Sequence, residues 1–123
     1  MNSDLTLYTE FLHHIKKAIF IEDENRNITL CNQAFCDLFA IKPTSGSYIN
    51  ICSNHGEQCK NQILDPKKFI SRIQSLTINN LPFFNELIEM KDGTFLERDY
   101  IPIFNRDSYF GNIWVYKKII NIT

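Results

Sequence analysis

Three groups of residues have types and spacings that chemistry could use. The first is Cys52-x-x-His55-x-x-x-Cys59, whose intervals lie within the range of zinc sites. It offers three ligands, and a fourth would have to come from Cys31, Cys36, His13 or His14. With no second paired motif, packed or solvent-exposed thiols are the expectation and no metal is assigned. The second group is Glu97 and Asp99, which share a side of one strand and could do acid–base work. Arg98 between them, with partners across the strands, favours a structural ion network instead. No Ser-His-Asp set and no glycine-rich phosphate loop accompanies them, so the chain is not expected to be an enzyme.

The third group is Glu86 with Arg98. Strand alternation lines up Phe84, Glu86, Ile88 and Met90 on one side, and Leu96, Arg98, Tyr100 and Phe104 on one side of the next strand. Each row mixes large apolar groups with one charge. Buried charge is costly unless paired, so Glu86 or Arg98 inside the fold implies a mutual salt bridge or a polar ligand. At sheet ends both would reach water instead.

The elements that must position these residues follow from periodicity. Ser3 and Asp4 suit a helix start, and Leu5, Tyr8, Phe11, Leu12 and Ile15 recur at three-and-four spacing, an amphipathic N-terminal helix over residues 1–17. Residues 18–123 form the domain proper. Ala18 to Ile21 and Ile28 to Cys31 are strand-like runs joined by a polar turn. Asn32 stands where a cap is wanted for a short helix carrying Phe35, Leu38 and Phe39. Lys42 to Leu64, with Pro43, Gly46 and Gly56, reads as loops and short helical turns. Asp65-Pro66 opens a helix to about Leu76, with Phe69, Ile70, Ile73 and Leu76 on one face. Phe83 to Met90, Thr94 to Phe104 and Phe110 to Ile120 then read as three consecutive antiparallel strands. The class is α+β, an antiparallel five-stranded sheet with helices on one face. Both sides of the strand Thr94 to Phe104 carry apolar residues, as expected if its outer face packs on the N-terminal helix or a second copy of the chain.

Composition bounds the function. A length of 123 residues is one domain, and a net charge of −1 provides no field for nucleic acid or acidic lipid. No apolar run approaches the ~20 residues of a membrane span, and Met1 to Glu10 lack a signal-peptide pattern, so a cytoplasmic location and free thiols are expected. Ten phenylalanines, five tyrosines and one tryptophan suit dense packing or a cavity for a flat ligand.

The segment Glu22 to Phe39 (Glu-Asp-Glu-Asn-Arg-Asn-Ile-Thr-Leu-Cys-Asn-Gln-Ala-Phe-Cys-Asp-Leu-Phe) resembles the opening signature of PAS domains: an acidic turn, a strand, then Asn, two residues and Phe. Asp92-Gly93, the run Glu97 to Ile103, Gly111 and Trp114-Val115-Tyr116 are similar to PAS domains of bacterial sensor kinases and related signalling proteins. Cys52 and Asp65-Pro66-x-x-Phe69 also resemble their counterparts there. One departure is at the end: such domains close on Asp-Ile-Thr, whereas here Lys118-Ile119-Ile120 follows Lys117.

The resemblance implies a sensory module, with a small cavity between sheet and helices, that regulates an output kinase or other signalling domain. The pocket expected on this basis comprises Phe35, Phe39, Ile70, Ile73, Ile88, Arg98, Tyr100 and Trp114, with Arg98 as anion anchor. Its cofactor is unknown, and a small organic ligand is the expectation. Flavin is disfavoured, because light-oxygen-voltage domains follow their reactive cysteine with Arg-Phe-Leu-Gln and here Ser53-Asn54-His55 follows Cys52. Haem is disfavoured because the Pro66 to Leu76 helix has no histidine. The alternative is a ligand-free dimerisation or docking module with a side-chain-filled core. In a homodimer, Leu5, Tyr8, Phe11, Leu12 and Ile15 form the interface.

Overall fold

The computed structural model describes residues 7, 10–12, 14–41 and 59–119. In chain order these form β1 (Ala18–Asp23), β2 (Ile28–Cys31), α1 (Gln33–Phe39), a 3-10 turn (Lys60–Gln62), α2 (Pro66–Asn79), β3 (Phe83–Glu89), β4 (Phe95–Asn105) and β5 (Ser108–Ile119). The strands make one antiparallel sheet in the order β2-β1-β5-β4-β3. The first strand of the chain therefore lies beside the last, and β3 is an edge.

Asn32 is the joint of the N-terminal half. Its Oδ1 accepts from the amides of Phe35 and Ile19, both at 3.0 Å, which caps α1 and fastens β1. Its Nδ2 faces the carbonyls of Lys17 at 2.8 Å, Leu12 at 3.0 Å and Ile15 at 3.3 Å. Leu7, Glu10, Phe11, Leu12 and His14 are helical, so this one amide also holds the end of the N-terminal helix. Of the residues expected at a dimer interface, Leu12 is buried, Ile15 half-buried and Phe11 exposed; Leu5 and Tyr8 lie outside the described residues.

The long helix starts as its sequence predicts. Asp65 accepts from the Lys68 amide, Pro66 follows at a position whose amide needs no partner, and Phe69, Ile73 and Leu76 are buried at helical spacing. It runs three residues past Leu76 because the stop is conformational and not apolar. Asn80 adopts the left-handed conformation (φ 52°) and returns its amide to the Leu76 carbonyl.

Two bulges change the strand faces from simple alternation. Asn85 has φ 61° and the β3–β4 register shifts between Phe83 and Glu86, so Phe84 leaves the inward row and is 53% exposed. Asp99 Oδ1 holds this bulge by accepting from the Asn85 amide at 2.8 Å. A second shift between Ile103 and Phe104 leaves Phe110 of β5 as the extra residue, and Phe104, at the end of β4 beside the turn to β5, is exposed. The inward rows are thus Glu86, Ile88 and Met90 opposite Leu96, Arg98 and Tyr100. Asp99 serves the backbone, and Glu97 lies opposite Lys117 on β5.

Gly111 lets β1 and β5 approach. Its φ is +148°, and a Cβ there would sit 2.1 Å from the Glu22 carbonyl oxygen, inside any van der Waals contact.

Among the described residues, six aromatic side chains pack between the sheet and the helices. Phe20, Phe35, Phe39, Tyr100, Trp114 and Tyr116 are each at most 3% exposed. Their rings stand against one another, with centroids 4.6 Å apart for Phe20 and Phe35 and for Tyr100 and Trp114, and 5.2 Å for Phe39 and Tyr116.

Candidate functional site

Arg98 is the largest charged side chain inside the fold. Its place on β4, between Leu96 and Tyr100, turns it towards α2, and it is 1% exposed. The guanidinium carbon lies 5.4 Å from the Phe69 ring centre and 5.6 Å from that of Trp114, so two aromatic faces hold it in place. Nη2 donates to Glu86 Oε1 at 2.5 Å. Nε and Nη1 are buried and make no well-formed hydrogen bond among the described residues, and the Tyr116 hydroxyl lies close enough to act on the guanidinium.

Glu86 joins the helix to the sheet. While Oε1 takes Arg98, Oε2 accepts from Arg72 Nε on α2 at 2.6 Å. The Arg72 guanidinium also lies 4.6 Å from the Phe83 ring centre on the edge strand. Burial opposes the charged form of Glu86, but Arg98 and Arg72 outweigh it and hold the carboxyl below its ordinary value. Burial likewise opposes the charge on Arg98, yet Tyr116 and Glu86 keep its pKa above the usual arginine value.

These groups line a cleft of about 290 Å3 between α2 and the β3 edge, walled by Ile63, Phe69 and Ile88 and rimmed by Asp65, Lys68 and Glu89. Of the sequence-predicted pocket, the cleft takes Ile88 and Arg98. Phe35, Phe39, Ile73, Tyr100 and Trp114 lie in the packed core, and Ile70 lines a separate hollow with Lys60, Lys67 and Lys91. Phe69, Arg72 and Ile63 are cleft residues that periodicity did not single out as a site. Arg72 follows Phe69 at helical spacing three and so shares its side of α2, the signal that would have found it.

A second polar cluster lies at the other end of the core. Glu22, 1% exposed, accepts through Oε1 from Asn112 Nδ2 and Trp114 Nε1, both at 2.8 Å, and from Arg26 Nε at 2.7 Å. The Tyr100 hydroxyl donates to Asn112 Oδ1 at 2.8 Å, and burial pushes the phenol well above its ordinary pKa. This network ties β1, β4 and β5 together.

Of the cysteines, Cys31 and Cys36 are buried with sulfurs 3.7 Å apart, and burial raises the Cys36 thiol. Cys59 is also buried, while Cys52, His55 and His13 lie outside the described residues. No helix among the described residues is long and apolar enough to cross a membrane.

Comparison with known proteins places this architecture. The PAS domain of BvgS from Bordetella pertussis superposes with a TM-score of 0.69 at 19% identity, covering 98% of this chain and 89% of that one. A PAS domain from Colwellia psychrerythraea gives 0.59 at 16% identity, with 94% and 97% covered. The PAS domain of the fruit-fly ELK potassium channel gives 0.62 at 17% identity, with 98% and 100% covered. Among curated proteins none matches the chain in sequence. The sequence profile of the PAS domain matches residues 6–74, more than half the chain, and with the five-stranded sheet and its helices this establishes that the chain belongs to the PAS domain family.

Proposed function

We propose that the chain is a sensory module whose ligand, a small molecule, enters the cleft between α2 and β3 and shifts the packing of that helix on the sheet. The observation that carries this reading is Arg98: a charge 1% exposed, whose Nε and Nη1 make no well-formed hydrogen bond among the described residues although the Tyr116 hydroxyl lies near, in the wall of a cleft of about 290 Å3. A buried donor left without an acceptor costs about 1–3 kcal/mol, and a ligand oxygen would recover that. Because Glu86 and Arg72 are the ionic link between β3 and α2, a molecule seated against them bears on both elements at once. Such a ligand acts by favouring one of two packings, and an output domain elsewhere in the parent protein would read the change.

Native mass spectrometry of the purified chain tests this. A bound molecule appears as extra mass, and filling the cleft by Ile88→Trp removes it. A chain carrying no extra mass, whose melting temperature no small-molecule library shifts, would overturn the reading.

A second reading is dimerisation through the outer face of the sheet. Ile19 pairs with Val115, and Ile21 and Ile101 both pair with Ile113, a contiguous aliphatic row that is half-exposed, and Phe11 on the N-terminal helix is 62% exposed. Deleting residues 1–17 and measuring mass in solution separates the parts: a dimer that persists rules the N-terminal helix out as its interface.

A further inference from the structure

We infer that the ligand class of the α2–β3 cleft is a small monocarboxylate with an apolar body, an inference that rests on the ligand-sensing reading above. The charge balance of the inner wall comes first. Arg98 and Arg72 both lean on the single carboxylate of Glu86, leaving an excess of one positive charge. Over the whole lining Lys68, Asp65 and Glu89 bring the formal sum to zero, but those three are exposed and screened by water, so the positive excess is local to the inner wall. One more carboxylate balances the wall, whereas a dianion would overshoot it and face Glu86 as well.

Donor chemistry agrees. Arg98 Nε and Nη1 make no well-formed hydrogen bond among the described residues, the neutral Tyr116 hydroxyl near the guanidinium is a weaker acceptor than a carboxylate, and a charged acceptor on a guanidinium makes the stronger bond. Phe69 and Trp114 fix the guanidinium plane, so little ordering is left for binding to impose.

Size and wall chemistry then limit the rest of the molecule. At about 290 Å3 the cleft is at the small end of ligand pockets, which limits it to a small molecule. Ile63, Phe69 and Ile88 offer no polar partner to the far end, which favours a short aliphatic or aromatic body over a sugar or an inorganic anion.

The test titrates the full chain at low salt with hexanoate, hexanamide and inorganic phosphate, read by calorimetry and by the Arg98 Nε–H resonance. Hexanoate should saturate and move that resonance, and hexanamide, which lacks only the charge, should bind at least roughly tenfold more weakly. Arg72→Gln at the cleft wall should weaken hexanoate several-fold. Glu86→Gln, which removes the competing carboxylate and keeps its acceptor, should tighten it several-fold, a gain that unfolding cannot mimic. Equal binding of hexanoate and hexanamide, binding of phosphate as tight as hexanoate, or weaker hexanoate binding in Glu86→Gln overturns the monocarboxylate class and leaves the small-molecule reading standing. No binding of any probe, together with no extra mass on the purified chain, overturns both.

Discussion

The indole nitrogen of Trp114 donates to Glu22 Oε1 at 2.8 Å, joining the first strand to the last across 92 residues of sequence. The same oxygen takes Asn112 Nδ2 and Arg26 Nε, so one buried carboxylate satisfies donors from β5 and from the turn after β1. The backbone carbonyl of Glu22 lies beside Gly111, whose missing Cβ is what lets the two strands approach there.

Glu22→Ala should therefore leave the Trp114 and Asn112 donors buried without their acceptor and cost about 2–4 kcal/mol. Glu22→Gln keeps an acceptor and should cost less. Urea unfolding followed by the emission of Trp114, the single tryptophan, reads both. An alanine variant within about 0.5 kcal/mol of the parent would contradict the assignment.

Asn32 makes a prediction that separates its two functional groups. Asn32→Asp preserves the oxygen that caps α1 but turns the other end into an acceptor facing the carbonyls of Leu12, Ile15 and Lys17. It should destabilise by about 3–5 kcal/mol, as an uncompensated buried charge does, and more than Asn32→Ala. Limited proteolysis should find the N-terminal helix cut first in the aspartate variant, and hydrogen exchange should find the Phe35 amide still protected. Equal behaviour of the two variants would mean that the Nδ2 contacts contribute nothing.

Glu86 gives the pH dependence. Burial raises its pKa, Arg98 and Arg72 lower it, and the net direction is down. A carboxyl whose folded pKa lies below its unfolded value contributes stability in full above the unfolded value, here 4.5, and loses it as pH falls through the folded one. The stability gap between the parent and Glu86→Gln should thus be constant near neutrality and shrink below roughly pH 4.5. Urea midpoints of both proteins from neutral to acid pH check this, and a gap that widened with acid would reverse the sign.

How far the fold was legible follows from which residues act locally. Asn32 caps α1, Asp65-Pro66 starts α2, and Lys91-Asp92-Gly93 turns between β3 and β4 with Gly93 at φ 86°. Each is fixed by neighbours within four residues, so sequence spacing reads it directly. The bulge at Asn85 was not readable, because it depends on Asp99, which lies 14 residues on and across the strand. That bulge sends Phe84 to the surface against the alternation of its strand.

The candidate site divides in the same way. Periodicity put Glu86 and Arg98 on facing rows and required them to be paired, bound or wet; only the packed structure placed Arg98 between Phe69 and Trp114 and brought Arg72 from α2 onto the same carboxylate. The aromatic-rich composition suited either dense packing or a cavity for a flat ligand; only the packed structure set these rings against one another and left a cleft at the α2–β3 edge. By itself the sequence determined the family, the element order and the local caps, since these rest on short-range sterics and hydrogen bonds. The tertiary structure alone decided where volume is left empty and which charges share a partner, because both depend on side chains that meet only when distant segments pack.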